Sequence, residues 1–74
     1  MNLKQMEYFI AIVNEGNISA AAKSLHISQP PLSAQMKLLE DELGVVLFER
    51  GSRSIFLTEA GKVFYEKALH ILHL

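Results

Sequence analysis

The stretch SQPPLSAQMKLLEDELG, from Ser28 to Gly44, limits the folds open to this 74-residue chain more than any other segment. At about 100° per residue, Leu32, Met36, Leu39 and Leu43 fall within about 60° of one another and form a core seam. Pro30, Ser33, Ala34 and Lys37 recur at i, i+3, i+4 and i+7 as a second stripe about 140° away. Solvated helix faces are normally filled with charged helix formers, yet here the acids wait until Glu40, Asp41 and Glu42. An uncharged face opposite an apolar seam is the pattern of a helix that reads an external surface. Gly44 supplies a left-handed C-terminal cap, and Ser28 offers an acceptor to the free amides at the start. Pro31 disfavours the α region at Pro30, so the first helical residue lies anywhere from Gln29 to Pro31.

Upstream, Asn2 with Gln5 three residues later reads as a capping box, followed by Leu3, Met6, Phe9, Ile10 and Val13 at helical spacing. This predicts a helix from Leu3 to about Glu15, ended by Gly16. Ser19 is placed to cap a short second helix, Ala20 to Leu25, whose Ala21 and Ala22 let another helix approach closely. Only His26, Ile27 and Ser28 then separate it from the amphipathic helix. Helices joined so tightly must cross at about 90 to 120°, the geometry of a helix-turn-helix, over about residues 18–37. Ile27 reads as a plug between the two helices, and the turn lacks the glycine common there.

After Gly44 the texture changes to VVLFER, GSRS and IFLT, β-branched and aromatic residues on either side of a small polar turn. Such a hairpin is marginal alone and must lean on the helices, with Val46, Phe48 or Phe56 as the anchors. Thr58 then caps a last helix in which Val63, Phe64, Tyr65, Ala68, Leu69, Ile71, Leu72 and Leu74 surround most of the circumference. A helix apolar on nearly all sides needs cover on nearly all sides, and a domain this small covers one face. A second chain is therefore expected on Val63, Phe64, Tyr65, Ala68, Leu69, Ile71 and Leu72. The sequence stops at His73-Leu74 without a breaker, the expectation for a cut within a longer helix. The predicted fold is mainly α: a winged helix-turn-helix of three helices and a two-stranded β wing over 1–58, then the start of a long C-terminal dimerisation helix over 59–74.

Composition narrows the function. The chain has no cysteine, which suits a reducing cytosol, and it shows neither a leader nor a membrane-length apolar run. A soluble, cytoplasmic protein is expected. An enzyme is disfavoured: there is no thiol, no glycine-rich phosphate loop, and no histidine with a nucleophile and orienting acid at motif spacing. His70 and His73 stand at i, i+3, but no acid or thiol completes a metal set, so neither metal nor cofactor is expected. A net charge of −1 opposes a nucleic-acid footprint, which is usually basic, and favours a winged helix for protein–protein contact. The distribution argues the other way: Lys23, Lys37, Arg50 and Arg53 flank the uncharged stripe, while acids gather at 40–42, Glu59 and Glu66. Arg50, ending a strand, has a core-edge carboxylate as its alternative partner.

The run LKQMEYFIAIVNEGNISAAAKSLHISQPPLSAQMKLLEDELGVVLFER, followed by LTEAG, resembles the N-terminal DNA-binding module of the LysR-type bacterial transcriptional regulators in order, spacing and residue type. The resemblance covers essentially the whole chain. It implies sequence-specific binding of double-stranded DNA at a pseudo-palindromic operator by a homodimer paired through the last helix, with a tetramer as the full-length option. It also implies a following effector domain, absent from this sequence, through which alone a small-molecule inducer acts; no membrane is involved. Family contacts with DNA map onto Ser28, Gln29, Pro30, Pro31 and Ser33 and onto a wing base matching Arg53. Many members carry Arg where this chain has Ala34.

The side-chain chemistry fits that role. Gln29 suits bidentate pairing with adenine, Ser33 offers donor and acceptor, and Pro30 and Ala34 match a thymine methyl. Lys23 and Lys37 are suited to phosphates, and Arg53 to a narrow A·T minor groove.

Overall fold

The computed structural model describes residues 1–51 and 54–74, and of residue 50 the backbone alone. Its elements run α1 (Leu3–Glu15), α2 (Ile18–Leu25), α3 (Gln29–Leu43), β1 (Phe48–Arg50), β2 (Ile55–Leu57) and α4 (Glu59–Leu72). The architecture is a mainly helical winged helix-turn-helix.

Each helix boundary has a local cause. The Asn2 side chain accepts from the Gln5 amide at 2.8 Å and the Gln5 side chain accepts from the Asn2 amide at 3.2 Å, so the capping box forms as expected. Gly16 ends α1 at φ 83°, with its amide donating to the Ile12 carbonyl at 2.9 Å. The cap of α2 is Asn17, accepting from the Ala20 amide at 2.7 Å, and not Ser19. The helix therefore begins two residues earlier than the expected Ala20, at Ile18, because Asn17 stands where its short carboxamide meets the third helical amide. Ser28 precedes α3 in extended conformation but makes no side-chain cap bond. Prolines at 30 and 31 explain the tolerance: two of the amides that a helix start leaves unpaired do not exist. Helix α3 starts at Gln29, within the predicted window, and ends at Gly44 with φ 70°.

The turn between α2 and α3 closes without glycine. His26 takes the left-handed conformation at φ 60° and donates its amide to the Lys23 carbonyl at 3.1 Å, while Ile27 donates to Ala22 at 3.0 Å. This pair of bonds is a Schellman closure, and Ile27 packs against the core as its apolar partner.

The wing is shorter than the run of β-formers suggests. β1 and β2 pair antiparallel, with Phe48 opposite Leu57, Glu49 opposite Phe56 and Arg50 opposite Ile55. Of the three expected anchors only Phe48 is buried, at 6%; Val46 and Phe56 are exposed at 62% and 59%. Leu47, buried at 1%, joins Phe48 inside, because Val45 to Leu47 run outside any strand and are not bound to the inside-outside alternation. The wing is held by backbone bonds as well: the Ile55 amide donates to the Gly16 carbonyl at 3.1 Å and the Thr58 amide to the Leu47 carbonyl at 3.1 Å.

Phe9 sits at the centre, fully buried. Its ring lies 5.1 Å from that of Phe48, 4.9 Å from that of Phe64 in an edge-on contact, and 6.4 Å from that of Tyr65. Leu32, Met36 and Leu39 of the predicted seam are buried against the same core, and Leu43 lies at its edge.

Candidate nucleic-acid interface

The start of α3 is open to solvent. Ser28, Gln29, Pro30, Pro31 and Ala34 are exposed, Ser33 is half-buried, and Lys37 is exposed one turn beyond Ser33. These residues share the surface because Leu32, Met36 and Leu39 turn the other side of the helix into the core. Lys23 is exposed in the last turn of α2. The expectation for Arg53 lies outside the described residues, as does that for the Arg50 side chain; the Arg50 backbone ends β1.

The electrostatics are more ordered than a run of three acids suggests. Glu40 turns to the wing and accepts from the Leu47 amide at 2.7 Å and the Phe48 amide at 3.4 Å. Glu42 pairs with the Met1 ammonium. Asp41 pairs with Lys37 at 3.3 Å. Lys37 therefore holds an intramolecular carboxylate on the very stripe proposed to meet DNA, since Asp41 lies four residues beyond it on that face.

Two residues that the sequence marks only as helix caps make further bonds that support this face. Gln5 is buried at 7% and its Nε2 donates to Gln35 Oε1 at 3.0 Å, bolting the first turn of α1 to α3. The only sequence signal for it was its place in the capping box. Thr58 Oγ1, besides accepting from the Gly61 amide at 2.9 Å, donates to the Val46 carbonyl at 2.6 Å, which fixes the chain entering the wing.

On α4 the expected second-chain face divides. Ala68 is 1% exposed and turned into this domain's own core. Phe64, Tyr65, Leu69 and Leu72 are half-buried against that core, with the Tyr65 hydroxyl donating to Asn14 Oδ1 at 2.9 Å. Val63 and Ile71 are exposed at 57% and 50%. An apolar groove beside Val63 is lined by Leu43, Val45, Leu47 and Ala60. Among the described residues no cluster of three His, Cys, Asp or Glu is arranged to hold a metal, and no helix is long and apolar enough to cross a membrane.

The sequence pattern described as bacterial regulatory helix-turn-helix protein, lysR family, matches residues 3–62. The chain belongs to the LysR family. Among its LysR-family relatives, the HTH-type transcriptional regulator ClcR of Pseudomonas putida is 56% identical over 73 residues, covering 99% of this chain and 25% of ClcR. The HTH-type transcriptional regulator BsdA of Bacillus subtilis is 54% identical over 74 residues, covering 99% of this chain and 26% of BsdA. The chain thus spans about a quarter of the length of the curated relatives it matches. Among solved structures, the CbnR DNA-binding domain in complex with DNA superposes with a TM-score of 0.95 at 55% identity, covering 99% of this chain and 84% of that one. The BenM DNA-binding domain bound to catB site 1 DNA gives a TM-score of 0.95 at 46% identity, covering 99% and 82%.

Proposed function

We propose that this LysR-family chain binds double-stranded DNA sequence-specifically as a homodimer and regulates transcription from a pseudo-palindromic operator. The observation that carries the reading is the solvent-open, uncharged start of α3, held outward by its buried seam. Residues 1–58 serve as the winged helix-turn-helix and 59–74 as the dimerisation helix. Gln29, Pro30, Ser33 and Ala34 face base edges in the major groove, Ser28 and Pro31 belong to the same DNA contact at the start of α3, and Lys23 and Lys37 meet phosphates. Arg53 is assigned to the flanking minor groove, and Arg50 to the same set of DNA-binding residues. Ala34 carries a methyl where many family members present a guanidinium, which shifts one position of each half-site from guanine toward thymine. The DNA complexes of CbnR and BenM support this arrangement by their overall likeness.

Val63 and Ile71 form the outward part of the subunit contact, continued by the exposed edges of Phe64, Tyr65, Leu69 and Leu72. The protein works in the cytoplasm, is not an enzyme and uses no cofactor in this part; an inducer would act through a separate domain of the full-length protein. Selection of bound sequences from a random duplex pool, with mass measurement of the complex, tests the reading. The expected result is an inverted repeat bound by two copies, with affinity falling steeply as salt rises. Failure to enrich any duplex would instead favour a protein-contact module, in keeping with the net charge of −1.

A further inference from the structure

Glu40 gathers the whole link between the candidate recognition helix and the wing. Its carbonyl accepts from the Gly44 amide at 2.8 Å and the Val45 amide at 3.3 Å, while its carboxylate accepts from the Leu47 amide at 2.7 Å and the Phe48 amide at 3.4 Å. The first pair is the ordinary end of a helix. The second is charge-assisted and holds a segment, Val45 to Leu47, that lies outside any helix or strand. At Leu47 the clamp passes on to α4: its amide belongs to Glu40, and its carbonyl accepts from the amide of Thr58, the N-cap of α4, at 3.1 Å. Thr58 Oγ1 adds a bond to the Val46 carbonyl at 2.6 Å, and the Leu47 side chain is buried in the core. Among the described residues no hydrogen bond joins α3 directly to α4, so the shortest bonded route between them runs from Glu40 through Leu47 to Thr58.

That route matters in a dimer paired through α4. The distance and angle between its two recognition helices depend on how α3 is held against α4 in each subunit, and two-fold symmetry doubles any change. One base pair added between half-sites moves them apart by about 3.4 Å and turns one against the other by about 35°. We propose that Glu40 is the positioning residue for half-site spacing: it locks α3 to the start of α4 through Leu47, so that a mis-spaced operator is engaged at both half-sites only by breaking its carboxylate bonds. The proposal rests on the DNA-binding reading above. Glu40 touches no base in this role; it sets which separation of half-sites is accepted, and the start of α3 sets their sequence.

The test compares Glu40→Ala and Glu40→Gln with the unaltered chain on the operator which that chain selects and on versions with the spacer one base pair longer or shorter. We expect the preference for the original spacer to fall about tenfold in Glu40→Ala, the size of a lost hydrogen bond to a charged group. Glu40→Gln keeps an acceptor of about half the strength, so its preference should fall about threefold. Half-site sequence and salt dependence should stay as they were, since no DNA contact is removed. Ile18→Val, in the core of α2, is the control: a loss of stability lowers the folded fraction, and with it the affinity, alike for every spacer. Should Glu40→Ala not fold in a thermal melt, Glu40→Gln decides. An unchanged spacer preference, whether or not overall affinity falls, would overturn the proposal and leave the DNA-binding reading intact. An equal change of preference in Ile18→Val would do the same, as would a changed half-site sequence, because α3 itself would then have been reshaped. Failure of the unaltered chain to select an inverted repeat would overturn both.

Discussion

At Gly61 there is no room for a methyl group. A Cβ built there would stand 2.2 Å from the Leu47 carbonyl oxygen, which is backbone and itself accepts from the Thr58 amide. Helix propensity alone ranks alanine about 1 kcal/mol above glycine, so the surroundings reverse the usual sign. We expect Gly61→Ala to destabilise the chain by about 2 kcal/mol or more in a denaturant melt, with loss of the Thr58 cap. His26 is the converse case. Its φ of 60° strains any residue with a Cβ, and it is exposed, so nothing in the core depends on its side chain. His26→Gly should stabilise by about 0.5 kcal/mol, the relief of strain being partly offset by the greater freedom of glycine in the unfolded chain. A lower melting temperature for this variant would contradict the Schellman account of the turn.

Among the elements, α3 shows how much was legible in advance and why the rest was not. The seam of Leu32, Met36 and Leu39 and the stop at Gly44 were readable because spacing and a lone glycine act locally, whatever the tertiary context. Asn2 and Gln5 were readable for the same reason. Ser19 and Ser28 have the right chemistry for caps, but a cap also needs its oxygen at a particular backbone angle, and composition does not carry that. Of the wing anchors, Phe48 was readable as a large aromatic in a β-forming run, whereas Leu47, buried beside it ahead of β1, breaks the inside-outside alternation and so was not. Gln5–Gln35 joins positions 30 residues apart and left no local trace. The candidate recognition stripe was legible, but not its ion pairing: Asp41 holds Lys37 in a solvent-exposed pair. A phosphate meeting Lys37, as proposed above, would have to compete with that carboxylate, a restraint on weak, sequence-independent binding. Asp41→Asn should therefore raise affinity for an unrelated duplex about two- to fivefold at low salt and steepen its salt dependence. A fall in that affinity would show that Asp41 serves the contact and does not restrain it.

For the whole molecule, α4 has two duties on one helix. Ala68 and the inner edges of Phe64 and Tyr65 complete the core, while Val63 and Ile71 face outward. If the outward pair carries subunit pairing, Val63→Asp combined with Ile71→Asp should turn a dimer into a monomer in sedimentation equilibrium. The same double variant should leave the intrinsic fold of the domain near its original stability, since surface changes typically stay within about 0.5 kcal/mol. Persistence of the dimer would place the contact elsewhere, the groove beside Leu43 and Val45 being the next apolar surface to alter.

The ring of Phe9, touching Phe48 of the wing and Phe64 and Tyr65 of α4 at once, has a mechanical meaning. It works as an axle pin: α4 cannot roll about its own axis without dragging an aromatic ring off its neighbours and shifting the wing with it. A twist applied to α4 is therefore delivered as a displacement of the wing and is not absorbed in a slack joint. The position of the wing is in this way geared to the last helix of the chain.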